Sequence, residues 1–118
     1  MSLDRAVEMA RDFHAYNKPL WPFVEADMRE TLGALPFLKV SERGFIAATI
    51  CNLPISKRWV IASEFLWWGD PYLIRDFRAW AKARGANEIR YSCPAGSRVE
   101  GFYQTIARPS EAVYSEFV

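Results

Sequence analysis

A mixed β-sheet with helices on both faces, an α/β (α+β) arrangement in the order α-α-β-β-β-α-β-α-β, is the fold class that this 118-residue sequence predicts. Three observations lead there. Arg58 to Trp68 is apolar on both faces apart from Ser63 and Glu64, the pattern of a strand covered on both sides. A β-hairpin pattern precedes that run. Strand–helix–strand alternation follows it and calls for crossover connections.

The elements follow in chain order. Residues 3–16 place Leu3, Ala6, Val7, Ala10, Phe13 and His14 on one helical face, with Ser2 as the expected N-cap. Asn17, Lys18 and Pro19 stop this helix. A second helix is expected over about Trp21 to Leu35, with Pro22 in its first turn and Gly33 near its end. Phe37 to Ser41 reads as a strand, Glu42-Arg43-Gly44 as a hairpin turn and Phe45 to Asn52 as the return strand. Leu53 to Lys57 is a loop, and Arg58 to Trp68 the central strand.

The next helix is well specified. Asp70 is placed to cap it, Pro71 suits its first position, and Leu73, Ile74, Phe77, Trp80 and Ala81 form one apolar stripe. Arg75, Arg78, Lys82 and Arg84 face outward, and Gly85 ends the helix. Glu88 to Cys93 is a further strand and Pro94 to Gly96 a loop. Ser97-Arg98-Val99-Glu100 fits a capping box opening a helix through about Ala107. Glu111 to Phe117 alternates as a closing strand.

Composition bounds the rest. The length suits a single domain, residues 1–118, with a core large enough to need neither disulfides nor metal. A balance of 15 Lys+Arg against 14 Asp+Glu gives no support to nucleic-acid or membrane-surface binding. No apolar run reaches membrane-span length and the charged N-terminus does not read as a signal peptide, so an intracellular, soluble protein is expected. Cys51 and Cys93 are read as buried free thiols, against a reactive thiol or a disulfide. His14 stands alone on an apolar face, and no carboxylate cluster suits a metal.

From Trp59 onward the chain carries S-E-F-L-W-W, then F-R-A-W-A-K-A-R-G-A-N-E-I-R-Y-S, then S-R-V-E-G-F-Y-Q-T-I-A-R, then A-V-Y-S-E-F. In that order and spacing these pieces resemble the GCN5-related N-acetyltransferase (GNAT) superfamily. The resemblance implies acetyl transfer from acetyl-CoA to an amine acceptor. By resemblance, Glu64 occupies the region of the catalytic base and Tyr103 that of the phenol near the thiol sulfur. Leu66, Trp67, Trp68, Gly69 and Tyr72 fall where the cofactor would bind, Tyr91 and Ser92 border the pantetheine channel, and Tyr114 matches a packing aromatic. Residue chemistry leaves alternatives open: Glu64 as partner of an arginine, Tyr103 as a core aromatic.

The chain departs from the family at the turn after the central strand. There the family carries a Gly-rich loop whose amides hold the coenzyme A diphosphate, and only Gly69-Asp70-Pro71-Tyr72 stands here. Asp70 puts a negative charge at the helix N-terminus, and Pro71 removes an N–H. A second function therefore stands beside acyl transfer: a catalytically inactive GNAT-fold module that binds a protein partner through Trp67, Trp68 and Tyr72. Trimmed proteins of this kind occur in tailed phages, and the chain resembles them in style; a virion component or host-protein inhibitor would suit that origin. Acyl transfer requires an open gap between the strand ending near Trp67 and the strand beginning near Glu88, unfilled by Trp67 or Trp68.

Overall fold

The computed structural model describes residues 2–118 and shows eight elements: α1 (Ser2–Asn17), α2 (Glu25–Ala34), β1 (Phe37–Val40), β2 (Phe45–Leu53), β3 (Ser56–Trp68), α3 (Leu73–Ala83), β4 (Glu88–Arg90) and α4 (Arg98–Ile106). The side chain of Ser2, expected as N-cap, lies outside the described residues. The sheet order is β1-β2-β3-β4. The first three strands are antiparallel, and β4 joins β3 in parallel after the α3 crossover.

Each face of the sheet carries its own core. Phe45 and Ala47 of β2 pack with Ala6, Val7, Met9 and Ala10 of α1 and Leu32 of α2, and Leu66 and Trp68 close against that cluster. Ile46, Ala48 and Ala62 turn the other way and pack with Leu73, Phe77 and Ala81 of α3, joined by Trp67. The burial of β2 on both faces over Phe45 to Ala48 explains the apolar run there.

Five expectations are corrected. The loop expected over Leu53 to Lys57 shrinks to Pro54 and Ile55, because β2 runs to Leu53 and pairs there with Ser56, where β3 starts. The second helix begins at Glu25 rather than Trp21, because Val24 is extended (φ −117°, ψ 105°) and Pro22 lies in the preceding connection. Helix α3 begins at Leu73 rather than Pro71, yet the Asp70 carboxylate still accepts the Tyr72 backbone N–H at 3.0 Å. Strand β4 pairs over only three residues, Glu88 to Arg90, and Tyr91 to Cys93 leave the ladder. The closing strand does not form: among the described residues, 107–118 are exposed and carry no regular structure. A cavity of about 1160 Å³, walled by β4 on one side and Ala107 to Tyr114 on the other, separates this segment from the sheet edge it was expected to join. Without a strand at hydrogen-bonding distance, alternation alone has nothing to pair with.

The α3 N-terminus is tied to the β1–β2 turn. Ser41 Oγ donates to Asp70 Oδ2 at 2.7 Å, and Arg43 Nη2 lies 3.9 Å from Asp70 Oδ1. Two glycines let the backbones touch. A Cβ on Gly44 would stand 2.0 Å from the Trp68 carbonyl oxygen, and one on Gly69 would stand 2.0 Å from the Arg43 carbonyl oxygen. Gly69 also takes φ +86°, a region that L side chains rarely enter.

Candidate active site

The site begins with an irregularity in β3. Ala48 pairs with Glu64 and Ala47 with Leu66, so Phe65 is an extra residue without a cross-strand partner. Such a bulge bends its strand and breaks the ladder locally. It also shifts the alternation of side chains. Glu64 opposite Ala48 and Trp67 opposite Ile46 then share the α3 face, although a step of three positions would put them on opposite faces of a regular strand.

Parallel pairing of β3 with β4 ends at Ser63 and Arg90, one residue before Glu64, and the strands part. A cavity of about 260 Å³ opens in the gap, bordered by Phe13, Phe65, Leu66, Trp67, Pro94 and Val99. The wider cavity beside β4 lies on the other side. Glu64, Ser92, Cys93 and Tyr103 line both.

At this junction the Tyr103 hydroxyl donates to Glu64 Oε1 at 2.8 Å. Glu64 is 7% exposed and Tyr103 8%. Burial pushes the Glu64 carboxyl up from its ordinary 4.5 to about 7, because the anion loses its water. The Tyr103 bond, and the Ser92 hydroxyl beside it, favour the anion and offset part of that rise. Tyr103 is pushed well above the usual phenol range, first by its burial and then by the neighbouring Glu64. Tyr103 is held in turn by Tyr91, stacked with centroids 5.0 Å apart, and by Trp67 at 5.9 Å. A buried carboxylate near neutrality with one bonded phenol can accept and return a proton at working pH.

Other residues singled out in the sequence fall in different places. Leu66 and Trp67 border the narrow cavity. Trp67 leans from β3 toward Phe102 and Tyr103 of α4 and forms a wall, leaving the gap open beside it. Trp68 turns to the opposite face, against Phe13 and Tyr16 of α1. Gly69 is pressed on the β1–β2 turn, and Tyr72 stands exposed. Trp67, Trp68 and Tyr72 therefore do not make one surface patch. Glu64 has no arginine partner among the described residues; its bond is to Tyr103. Tyr114, expected to pack, is 92% exposed.

His14 Nε2 lies 2.7 Å from the Trp21 carbonyl oxygen and its ring packs on Trp21 and Phe23, which ties the α1–α2 connection together. Cys51 is exposed rather than buried, and Cys93 is half-buried in the wall common to both cavities. Cys93 and the Phe65 bulge were not singled out as site features. A bulged residue carries no sequence mark, since Phe65 suits a regular strand equally well. The expected capping box does not form at α4: Glu100 accepts the Gly96 N–H at 2.9 Å, one residue ahead of the cap, Ser97 N–H donates to the Pro94 carbonyl at 3.1 Å, and Ser97 makes no side-chain cap bond.

Among the described residues, no group of three or more His, Cys, Asp or Glu is arranged to hold a metal ion, and no helix is long and apolar enough to cross a membrane. No protein-family model matches the sequence, and no curated protein matches it. Solved structures do match. A protein from Pyrococcus furiosus assigned as an acetyl transferase superposes with a TM-score of 0.71 at 16% identity, covering 98% of this chain and 93% of that one. A protein from Clostridium acetobutylicum assigned as an acetyltransferase, determined with acetyl-CoA, gives 0.69 at 11% identity, covering 99% and 90%. The ribosomal-protein-alanine N-acetyltransferase of Brucella melitensis biovar Abortus 2308 gives 0.64 at 17% identity, covering 100% and 93%. At these identities the likeness is one of architecture, and in architecture the chain has the GCN5-related N-acetyltransferase fold.

Proposed function

We propose that this chain, acting as one domain, is an N-acyltransferase that moves an acetyl group from a pantetheine thioester such as acetyl-CoA to an amine. The observation that carries the reading is the Tyr103–Glu64 hydrogen bond at the junction of two cavities. A two-substrate reaction needs two approaches converging on one proton-transferring group. The narrow cavity, with Leu66, Trp67, Pro94 and Val99 on its walls, suits an apolar thioester arm. The wide cavity, bordered by Glu88, Arg90, Glu100, Arg108 and Glu111, suits a polar amine.

In this reading Glu64 removes a proton from the ammonium group, and the free amine attacks the thioester carbonyl carbon. The tetrahedral adduct loses its second nitrogen-bound proton to solvent as the carbon–sulfur bond breaks, leaving a neutral amide and a thiolate. Tyr103 gives its hydroxyl proton to the sulfur and recovers one from Glu64 across the 2.8 Å bond. The bulge at Phe65 frees backbone polar groups beside Glu64, where donors for the developing oxyanion are needed. The comparison proteins named for acetyl transfer support the same class of reaction.

The test is thiol release from an acetyl thioester in the presence of a panel of amines. Acetyl transfer by the native chain, falling by about 10²-fold or more in Glu64→Gln, is expected. Transfer that survives Glu64→Gln at the native rate would remove the assigned base and with it this reading.

A further inference from the structure

The two ends of a coenzyme A thioester meet opposite conditions in this structure. Its reactive end finds a cavity and a proton-transferring pair. Its diphosphate would lie at the α3 N-terminus, where a helix ordinarily offers free amides to an anion. Here the amides of the turn leading into the helix are spoken for. Asp70 N–H donates to the Trp68 carbonyl at 3.1 Å, Pro71 has none, Tyr72 N–H donates to Asp70 Oδ1 at 3.0 Å, and Leu73 N–H faces the Asp70 carbonyl at 3.4 Å.

The occupying group is itself an anion. Asp70 is 7% exposed, and the Ser41 hydroxyl, the Tyr72 N–H and the Arg43 guanidinium hold its carboxyl below the usual range, so it stays charged at neutral pH. The turn is also closely packed. Gly69 and Gly44 are in backbone contact with the opposing segment, each at a distance that leaves no room even for a methyl group. A diphosphate would have to displace a bonded carboxylate of its own sign and separate a glycine-to-glycine contact.

We infer that the acyl donor is recognised through its pantetheine arm alone, with the α3 N-terminus closed to the diphosphate of coenzyme A. The inference rests on the acyl-transfer reading and specifies its donor: any thioester on a pantetheine-type arm, whether the remainder is a nucleotide, a proton or a carrier protein.

Calorimetric titration of the full chain with coenzyme A and with pantetheine tests it directly, without turnover. Dissociation constants within about threefold of one another are expected, since the nucleotide half contributes no contact at α3. Coenzyme A binding tighter by about tenfold or more would overturn the inference while leaving acyl transfer intact. Binding of neither ligand at millimolar concentration would overturn both. Asp70→Asn separates charge from structure, because the carboxamide oxygen can still accept the Tyr72 N–H. It should tighten coenzyme A severalfold and leave pantetheine unchanged; tightening of both alike would overturn the role given to Asp70. Among donors, acetyl-CoA, S-acetyl-pantetheine and an acetyl-phosphopantetheinyl carrier protein should all serve. Their relative kcat/KM identifies which source the chain prefers, and transfer from acetyl-CoA alone would overturn the inference.

Discussion

Tyr103 and Glu64, 39 residues apart in sequence, share a 2.8 Å hydrogen bond that joins α4 to β3 where two cavities meet. The bond fixes how each group titrates. Glu64, raised to about 7, must lose its proton before it can serve as a base. Transfer should therefore rise with pH below 7 and level off above it. Tyr103→Phe removes a donor that favours the carboxylate, so the inflection should move to higher pH while kcat falls. A pH–rate profile of both proteins checks this; an unshifted inflection in Tyr103→Phe would sever the two groups.

The same carboxylate has a cost in stability. Its pKa in the folded state stands above the ordinary 4.5, so the stability that protonation provides is full below 4.5 and is lost as pH rises to about 7. Glu64→Gln keeps an acceptor for Tyr103 without an ionisable group. At pH 8 the variant should be more stable than the native chain by up to about 3 kcal/mol, narrowing toward acid pH. Urea unfolding at pH 5 and pH 8 measures the difference. Equal gaps at the two pH values would mean that Glu64 does not titrate in this window.

Gly44 and Gly69 make a contrasting pair with Gly101. Alanine at either of the first two meets backbone at 2.0 Å, and neither can be relieved by rotating a side chain. Each should cost about 3 kcal/mol or more. Gly101 lies within α4 with nothing within 4 Å of an added methyl, so Gly101→Ala should stabilise by roughly 0.5–1 kcal/mol. Thermal melts of the three variants rank them.

Residues 109–118 are exposed throughout, so their removal should leave Tm almost unchanged. They nonetheless form one side of the wide cavity. If the amine enters there, truncation after Arg108 should raise KM for the acceptor and leave KM for the thioester as it was. Steady-state kinetics with each substrate varied in turn distinguishes this from a general loss.

Much of the fold was legible because burial writes itself into composition. The stripe of Leu73, Ile74, Phe77 and Ala81 on α3 appears where its pattern predicts, and β3 is covered on both sides at Ile61 and Ala62, although it starts earlier, at Ser56, and leaves Arg58, Trp59 and Phe65 exposed. Pairing is less visible. Tyr91 to Cys93 and Glu111 to Phe117 carry strand-like residues, but one segment departs from β3 and the other faces a cavity. Asp70 was legible as an acceptor for the turn before α3 from its type and position, although the cap position itself falls at Tyr72. Its bond to Ser41 was not, since the two residues meet only when the hairpin folds back on α3. Glu64 and Tyr103 were brought forward by family likeness; periodicity alone would have left Tyr103 as a core aromatic.

The single extra residue at Phe65 gives β3 something like a reading frame. Upstream of it, even-numbered positions such as Ala62 and Glu64 face α3; downstream that face belongs to Trp67, while Leu66 and Trp68 face α1. Losing one residue here would leave the composition of the strand nearly intact and exchange the surroundings of Leu66, Trp67 and Trp68 relative to Glu64. The length of this strand is thus inherited information in its own right. Substitutions can drift along β3 far enough to erase likeness of sequence, but a one-residue insertion or deletion between Glu64 and Trp68 would turn the wall of the cavity inside out.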